Sequence, residues 1–220
     1  GALMFLGCPL RMILRLGGGD LNALFGIAGF AGGVGIGTIF LKRGYSLQRT
    51  YALSKLESAM MPAIQVALLV LVVTAPAFIF FSQKGPGAMH APWLISLAAG
   101  LVVGGLSQFS RLCTVGGFRD LFLFKKSILI FGYLAVLVGV FVVNISFGNF
   151  HLGFENQPIA HTDGLWNFLG MALVGFCSVL LGGCPLRQLI MTGEGNSDAA
   201  VTVLGLAAGA AFAHNFGLAA

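Results

Sequence analysis

The sequence predicts an all-α fold: a polytopic membrane protein of about six transmembrane helices joined in places by short re-entrant half-helices. Three observations carry this. Hydrophobic residues make up 57% of the 220 residues and charged residues only 9%, where a soluble domain carries roughly 25% charge. Mean hydropathy is +0.94, and uncharged apolar runs long enough to cross a ~30 Å hydrocarbon core recur along the chain. A Gly-Cys-Pro-Leu-Arg word also occurs twice, each time followed by a Gly-x-Gly break. The composition excludes intrinsic disorder, collagen, a disulfide-stapled secreted module and nucleic-acid binding, although 12 Lys and Arg against 7 Asp and Glu give a net charge of +5. That positive excess reads as membrane orientation.

The elements follow in chain order. Gly7 ends whatever precedes Cys8, and Pro9 suits the first position of a new helix, where its missing N–H costs nothing. The break at Gly17-Gly18-Gly19 lets this short helix turn back. Such non-helical backbone at membrane depth is tolerated only where it is buried in protein or lines a cavity. Runs at 21–41, 59–81, 93–109, 127–147, 165–181 and 199–216 are then the six crossings. The runs at 93–109 and 165–181 have only 17 residues each, so either can also be read as a half-helix that turns back. The loops at 42–58 (Lys42, Arg43, Arg49, Lys55) and 110–126 (Arg111, Arg119, Lys125, Lys126) hold most of the positive charge and are expected on the cytoplasmic side. The loops at 82–92, with Lys84 alone, and 148–164, with Glu155 and Asp163 but no Lys or Arg, are expected outside.

The repeat is the strongest feature. Gly7-Cys8-Pro9-Leu10-Arg11 recurs as Gly183-Cys184-Pro185-Leu186-Arg187 at an offset of 176, and the same offset matches Gly17, Gly19, Ala23, Gly29, Ala31 and Gly33 with Gly193, Gly195, Ala199, Gly205, Ala207 and Gly209. Five crossings separate the copies, so the two words are expected to enter the membrane from opposite faces, the inverted-repeat architecture of transporters. The expected organisation is one membrane transport domain over 1–220, with 1–109 the remnant of a first half and 110–220 the second, and repeat copies at 7–33 and 183–209. The second word has a lead helix at 165–181, whereas six residues precede the first. The expectation is therefore an N-terminally truncated chain.

Each word places a cysteine at a helix N-terminus, where free N–H groups and the positive end of the helix dipole favour an anion. Arg11 or Arg187, three residues on, adds a full positive charge. The polarisable sulfur suits a soft anion. Cys113, flanked by Arg111, forms a third station, and the candidate substrate-binding set is Cys8, Cys113, Cys184, Arg11, Arg187 and Arg111. Cys177, alone in a span, reads as an inert small hydrophobe. The spacings Gly29-x-x-x-Gly33, Gly100-x-x-x-Gly104 and Gly205-x-x-x-Gly209 read as helix packing. Gly17-Gly18-Gly19 lacks the Gly-Lys-Ser/Thr ending of a phosphate loop, and His151, Glu155 and His161 fit no standard metal spacing. No catalytic set, cofactor or metal is expected.

The duplicated Gly-Cys-Pro-Leu-Arg words with their Gly-x-Gly breaks, together with Arg111-x-Cys113-x-x-Gly116-x-x-Arg119-Asp120, resemble the YeeE/YedE sulfur-transport family along essentially the whole chain. A complete member has an arginine-cysteine block in each half, and only the Cys113 block is present here. The resemblance implies a multi-pass protein of the bacterial cytoplasmic membrane. It implies import of a small sulfur- or selenium-containing anion, thiosulfate-like or, in the YedE-like branch that the Gly193-Glu194-Gly195-Asn196-Ser197-Asp198 stretch favours, a selenium species. Cys8, Cys113 and Cys184 would be the relay, and a cytoplasmic sulfur or selenium carrier protein is a candidate recipient. Two rivals stand beside this reading: a transmembrane thiol-disulfide oxidoreductase, which needs two of the thiols to meet, and a soft-metal permease.

Overall fold

A computed structural model describes residues 1–47, 54–74 and 91–217. Among these, the chain is α-helical in the order α1 (Pro9–Gly17), α2 (Asn22–Lys42), α3 (Lys55–Thr74), α4 (Trp93–Ser110), α5 (Thr114–Phe124), α6 (Ile128–Ser146), α7 (Gly164–Leu181), α8 (Pro185–Gly193) and α9 (Ser197–Asn215). Six stretches are long and apolar enough to cross a membrane, and they correspond to the six runs of the sequence. The end of the run at 59–81, the loop at 82–92 up to residue 90, and Arg49 lie outside the described residues.

Local chemistry fixes the helix starts. Ser54 and Glu57 form a capping box on α3, with the Ser54 N–H donating to Glu57 Oε2 at 3.0 Å and the Glu57 N–H to Ser54 Oγ at 3.3 Å. Asp163 caps α7 through the Trp166 N–H at 3.0 Å, and Asn196 caps α9 through the Ala199 N–H at 2.9 Å. Pro9 and Pro185 open α1 and α8.

One open reading is closed and one expectation is corrected. The runs at 93–109 and 165–181 do not turn back: each is an 18-residue helix, about 27 Å long at 1.5 Å per residue. The half-helices are separate elements after them. In particular, 110–126 is not a loop but contains α5, whose first turn (Thr114, Val115, Gly116, Gly117) is buried. Arg119 lies midway along that half-helix and Lys125 and Lys126 just past its end, so a charge count alone reads the segment as a loop.

The repeat is structural as well as sequential. α1 and α8 begin and end at the same offset of 176, and both are followed by a left-handed glycine, Gly19 (φ 101°) and Gly195 (φ 87°). Their far ends are covered differently. A side chain at Gly17 would strike Val140 of α6 and one at Gly19 the His151 backbone, whereas Gly195 faces the Ser58 backbone at the start of α3. The segment at 148–163 is pinned to the first copy: the Leu21 N–H donates to the Gly153 carbonyl at 3.0 Å, the Gly153 N–H to that of Gly19 at 3.1 Å, and His161 Nε2 pairs with the Met4 carbonyl at 2.6 Å.

The core lies where α2 and α7 cross. Gly29 and Gly33 press on the backbone of α7 at Phe168 and Ala172, and Gly175 presses back on Phe30, so any Cβ at these positions collides with a carbonyl oxygen. Phe5, Met12, Phe30, Val34, Val115, Met171 and Val179 close the interior. Gly100, Gly104, Gly205 and Gly209 meet nothing within 4 Å, so the packing read from those two spacings is not made among the described residues. The face of α9 that repeats the α2 glycine stripe is open.

Candidate functional site

All three candidate cysteines stand on the same backbone device. Two residues before each, the chain turns through a left-handed conformation: Leu6 (φ 57°), Arg111 (φ 51°) and Gly182 (φ 80°). One residue before each, an N–H closes back on a carbonyl five residues earlier, from Gly7 to Ala2 (2.8 Å), Leu112 to Ser107 (3.1 Å) and Gly183 to Ser178 (3.0 Å). This is the Schellman closure of one helix. The cysteine is then the extended N-cap of the next, its carbonyl accepting the first helical bond from Met12 (2.9 Å), Gly117 (3.0 Å) or Gln188 (3.0 Å). Only Gly182 adopts the left-handed turn freely, since a side chain there costs roughly 1–2 kcal/mol. Leu6 and Arg111 are held in it by the surrounding fold.

The consequence is three sulfur atoms at helix N-termini. Cys113 Sγ accepts the Gly116 N–H at 3.5 Å. Cys113 lies close enough to Cys184 for the two thiols to interact electrostatically. Cys8 joins them around Tyr133, whose hydroxyl lies within electrostatic range of all three cysteines. All four cysteines are free, and Cys177 is exposed on α7, away from this group.

The arginines of the two words lie back along their own helices, as helical side chains do. A Cβ on Gly7 would sit 2.7 Å from Arg11 Cδ, and one on Gly183 would sit 3.2 Å from Arg187 Cγ. This explains the glycine in the word: it makes room for the arginine stem that runs toward the cysteine end. Arg11 Nε is buried without a partner among the described residues. Arg187 Nη1 donates to Gln108 Oε1 at 2.5 Å, and Gln108 Nε2 donates in turn to Glu194. Arg111 is exposed in its left-handed turn. It is Arg119, paired with Asp120 at 2.9 Å, whose charge reaches Cys113.

Sequence reasoning missed Thr114, Tyr133, Gln108 and Glu194. Tyr133 had a signal: it is the one tyrosine inside the apolar run 127–147, and a phenol in a span needs a partner for its hydroxyl. That partner is Thr114 Oγ1 at 2.9 Å. A largely apolar cavity of about 180 Å³ between α7, α8 and α9 is lined by Cys177, Gly183 and Gln188 among others and includes none of Cys8, Cys113 and Cys184. Among the described residues, no three His, Cys, Asp or Glu side chains converge closely enough to hold a metal ion.

A sequence-family model described as sulphur transport matches residues 109–219, just over half of the chain, and includes the Cys113 and Cys184 stations. The chain belongs to the YeeE/YedE sulphur transport family. Comparison with curated proteins and with solved structures finds no match. Family membership and six apolar helices together make this a multi-pass membrane protein of a transporter family. The part of this YeeE/YedE chain that the family match does not reach, 1–108, contains the first Gly-Cys-Pro-Leu-Arg word, and the offset of 176 ties it to the matched second copy.

Proposed function

We propose that this protein imports a small sulfur- or selenium-bearing anion, thiosulfate-like or a selenium oxyanion, across the bacterial cytoplasmic membrane through a narrow pathway marked by Cys8, Cys113 and Cys184. The observation that carries the reading is the threefold device: three thiols, each at a helix N-terminus and all within electrostatic range of one buried tyrosine. Helix N-termini supply N–H donors and positive potential, and thiols supply weak, polarisable donors. Arg11, Arg187 and, at the surface, Arg111 add charge that attracts an anion. The neighbouring carboxylates are each engaged, Asp20 by Arg15, Asp120 by Arg119 and Glu194 by Gln108. Among the described residues a cation meets no set of three converging ligands. The substrate passes by exchange of S–H hydrogen bonds, with the words of the two repeat halves approached from opposite sides and a cytoplasmic carrier protein as recipient.

The test is uptake of radiolabelled thiosulfate and, separately, selenite by cells lacking their own importers, expressing the protein or its Cys8→Ser, Cys113→Ser or Cys184→Ser variants. Uptake of one label that is lost in the serine variants supports the reading and names the substrate. Uptake unchanged in all three removes the cysteine pathway. The proximity of Cys113 to Cys184 keeps one rival in view. If neither label enters, and a Cys113 to Cys184 disulfide is trapped by mild oxidant and released by reductant, the protein is a thiol-disulfide oxidoreductase instead.

A further inference from the structure

We infer that Tyr133 is a substrate-binding residue, its hydroxyl donating the one strong hydrogen bond that holds an oxygen atom of the anion between the cysteines. The inference rests on the transport reading above and goes beyond it by naming what selects an oxyanion over a soft anion without oxygen.

The argument is a count of protons. Tyr133 is 6% exposed and Thr114 is fully buried, so each hydroxyl needs an internal partner. They have each other, at 2.9 Å, and no further hydrogen bond to either hydroxyl occurs among the described residues. Two hydroxyls carry two protons, and one bond between them uses one. Thr114 donates to Tyr133, so the Tyr133 O–H is left buried and unused, a condition that costs roughly 1–3 kcal/mol and calls for an acceptor.

Nothing around the spare proton accepts it well. The Tyr133 hydroxyl lies within electrostatic range of Cys8, Cys113 and Cys184, and its partner Thr114 is the residue immediately after Cys113. Thiols in their S–H form are donors and only weak acceptors. The three thiols in its electrostatic range each sit at a helix N-terminus, an environment of donors. The one thing such a place lacks is a negatively charged acceptor. Hydroxyls are hard donors suited to oxygen, whereas the thiols are soft and suited to sulfur or selenium, so an anion carrying both kinds of atom engages both kinds of donor at once.

Tyr133→Phe deletes one oxygen and keeps the ring that fills the core. A hydrogen bond to a charged group is worth about 1.5–3 kcal/mol, so the half-saturation concentration for uptake of labelled thiosulfate, or of selenite if that is the label the wild type takes up, is expected to rise about tenfold or more. Maximal uptake at saturating anion is expected to change less, with membrane abundance and melting temperature close to wild type. Merely structural damage lowers maximal uptake with the amount of folded protein and leaves half-saturation in place. A half-saturation within about twofold of wild type, in a variant verified in the membrane, overturns the inference. If Tyr133→Phe does not accumulate, Tyr133→Leu, which also removes the hydroxyl, is read in the same way, and an unchanged half-saturation there overturns it equally. Loss of uptake in Cys184→Ser alongside a normal Tyr133→Phe removes this inference and leaves the transport reading standing. A wild type that takes up neither label removes both.

Discussion

The two repeat copies hold the same backbone by different chemistry, and exchanging one solution for the other is a sharp test of how the first copy is built. In the first, Arg15 Nε pairs with Asp20 Oδ2 at 2.6 Å, with side chains 5% and 3% exposed, and Arg15 Nη1 caps the Phe5 carbonyl at 2.6 Å. Asp20 Oδ1 also accepts the Asn22 N–H at 2.9 Å. At the offset of 176 the second copy has Met191 for Arg15 and Asn196 for Asp20. The carbonyl equivalent to Phe5, that of Leu181, is capped instead by Gln188 at 3.3 Å, where the first copy has Met12. Removing one partner of a buried ion pair costs about 3–5 kcal/mol because the other charge is left uncompensated. At about 2–4 °C per kcal/mol for a chain of this size, Asp20→Asn should melt roughly 6–20 °C below wild type in detergent. The pair Arg15→Met with Asp20→Asn removes both charges but orphans the Phe5 carbonyl, a loss of about 1–3 kcal/mol. Adding Met12→Gln restores a donor to it, and the triple variant should melt within about 5 °C of wild type. The measurement is thermal unfolding of the purified protein in one detergent at one pH. A triple variant that melts no higher than Asp20→Asn alone refutes the claim that the two copies solve one problem in two ways.

Four further outcomes follow from the geometry. Gly33→Ala should destabilise the α2–α7 crossing by about 1–3 kcal/mol through overpacking, because its methyl meets the Ala172 carbonyl and lies 2.9 Å from the Phe176 nitrogen. Its neighbour Gly32, with nothing within 4 Å, should accept alanine with melting unchanged or raised. Gly183→Ala should raise the half-saturation concentration of uptake while membrane abundance stays near wild type, since the new methyl displaces the Arg187 stem 3.2 Å away; unchanged half-saturation would separate the arginine from the anion. Arg111→Gly should melt a few degrees higher than wild type, because it relieves a left-handed side chain worth about 1–2 kcal/mol and the arginine is exposed.

The six crossings and the repeat were legible because membrane spans depend on composition over about 20 residues and because a five-residue word with Cys, Pro and Arg is rare enough to be recognised twice. The breaks at Cys8 and Cys184 were legible for the same reason: glycine before and proline after announce a helix end and a helix start. The third break was not. At Cys113 a left-handed arginine and Thr114 stand where the second word has Gly182 and Pro185, so the backbone device carries no sequence signature there and 110–126 reads as a charged loop. Tyr133 and Gln108 stayed hidden because their roles arise from contacts with residues 19 and 79 positions away, Thr114 and Arg187. No periodicity within one helix reports such a pairing.

What differs and what stays the same between the copies divides along a physical line. The fastenings differ: an ion pair and a carbonyl cap from Arg15 in one copy, a glutamine cap and an asparagine N-cap in the other. The faces that cover the half-helix ends differ too, α6 and the 148–163 segment for the first, α3 for the second. The glycine, the cysteine, the proline and the arginine stay. Fastening is a requirement that any well-placed donor meets, so it tolerates substitution wherever geometry allows another donor. Cysteine at the N-cap gains little as a cap, since neither Cys8 nor Cys184 uses its sulfur to bond its own helix, and serine or aspartate satisfies that position better. Keeping the poorer cap in both copies, with an arginine laid back toward it over a glycine each time, makes sense if the sulfur serves something other than the helix. The third cysteine reaches the same position without the word, through a strained arginine rather than a glycine. It is the location of the thiol at the helix N-terminus, more than any residue around it, that all three stations have in common.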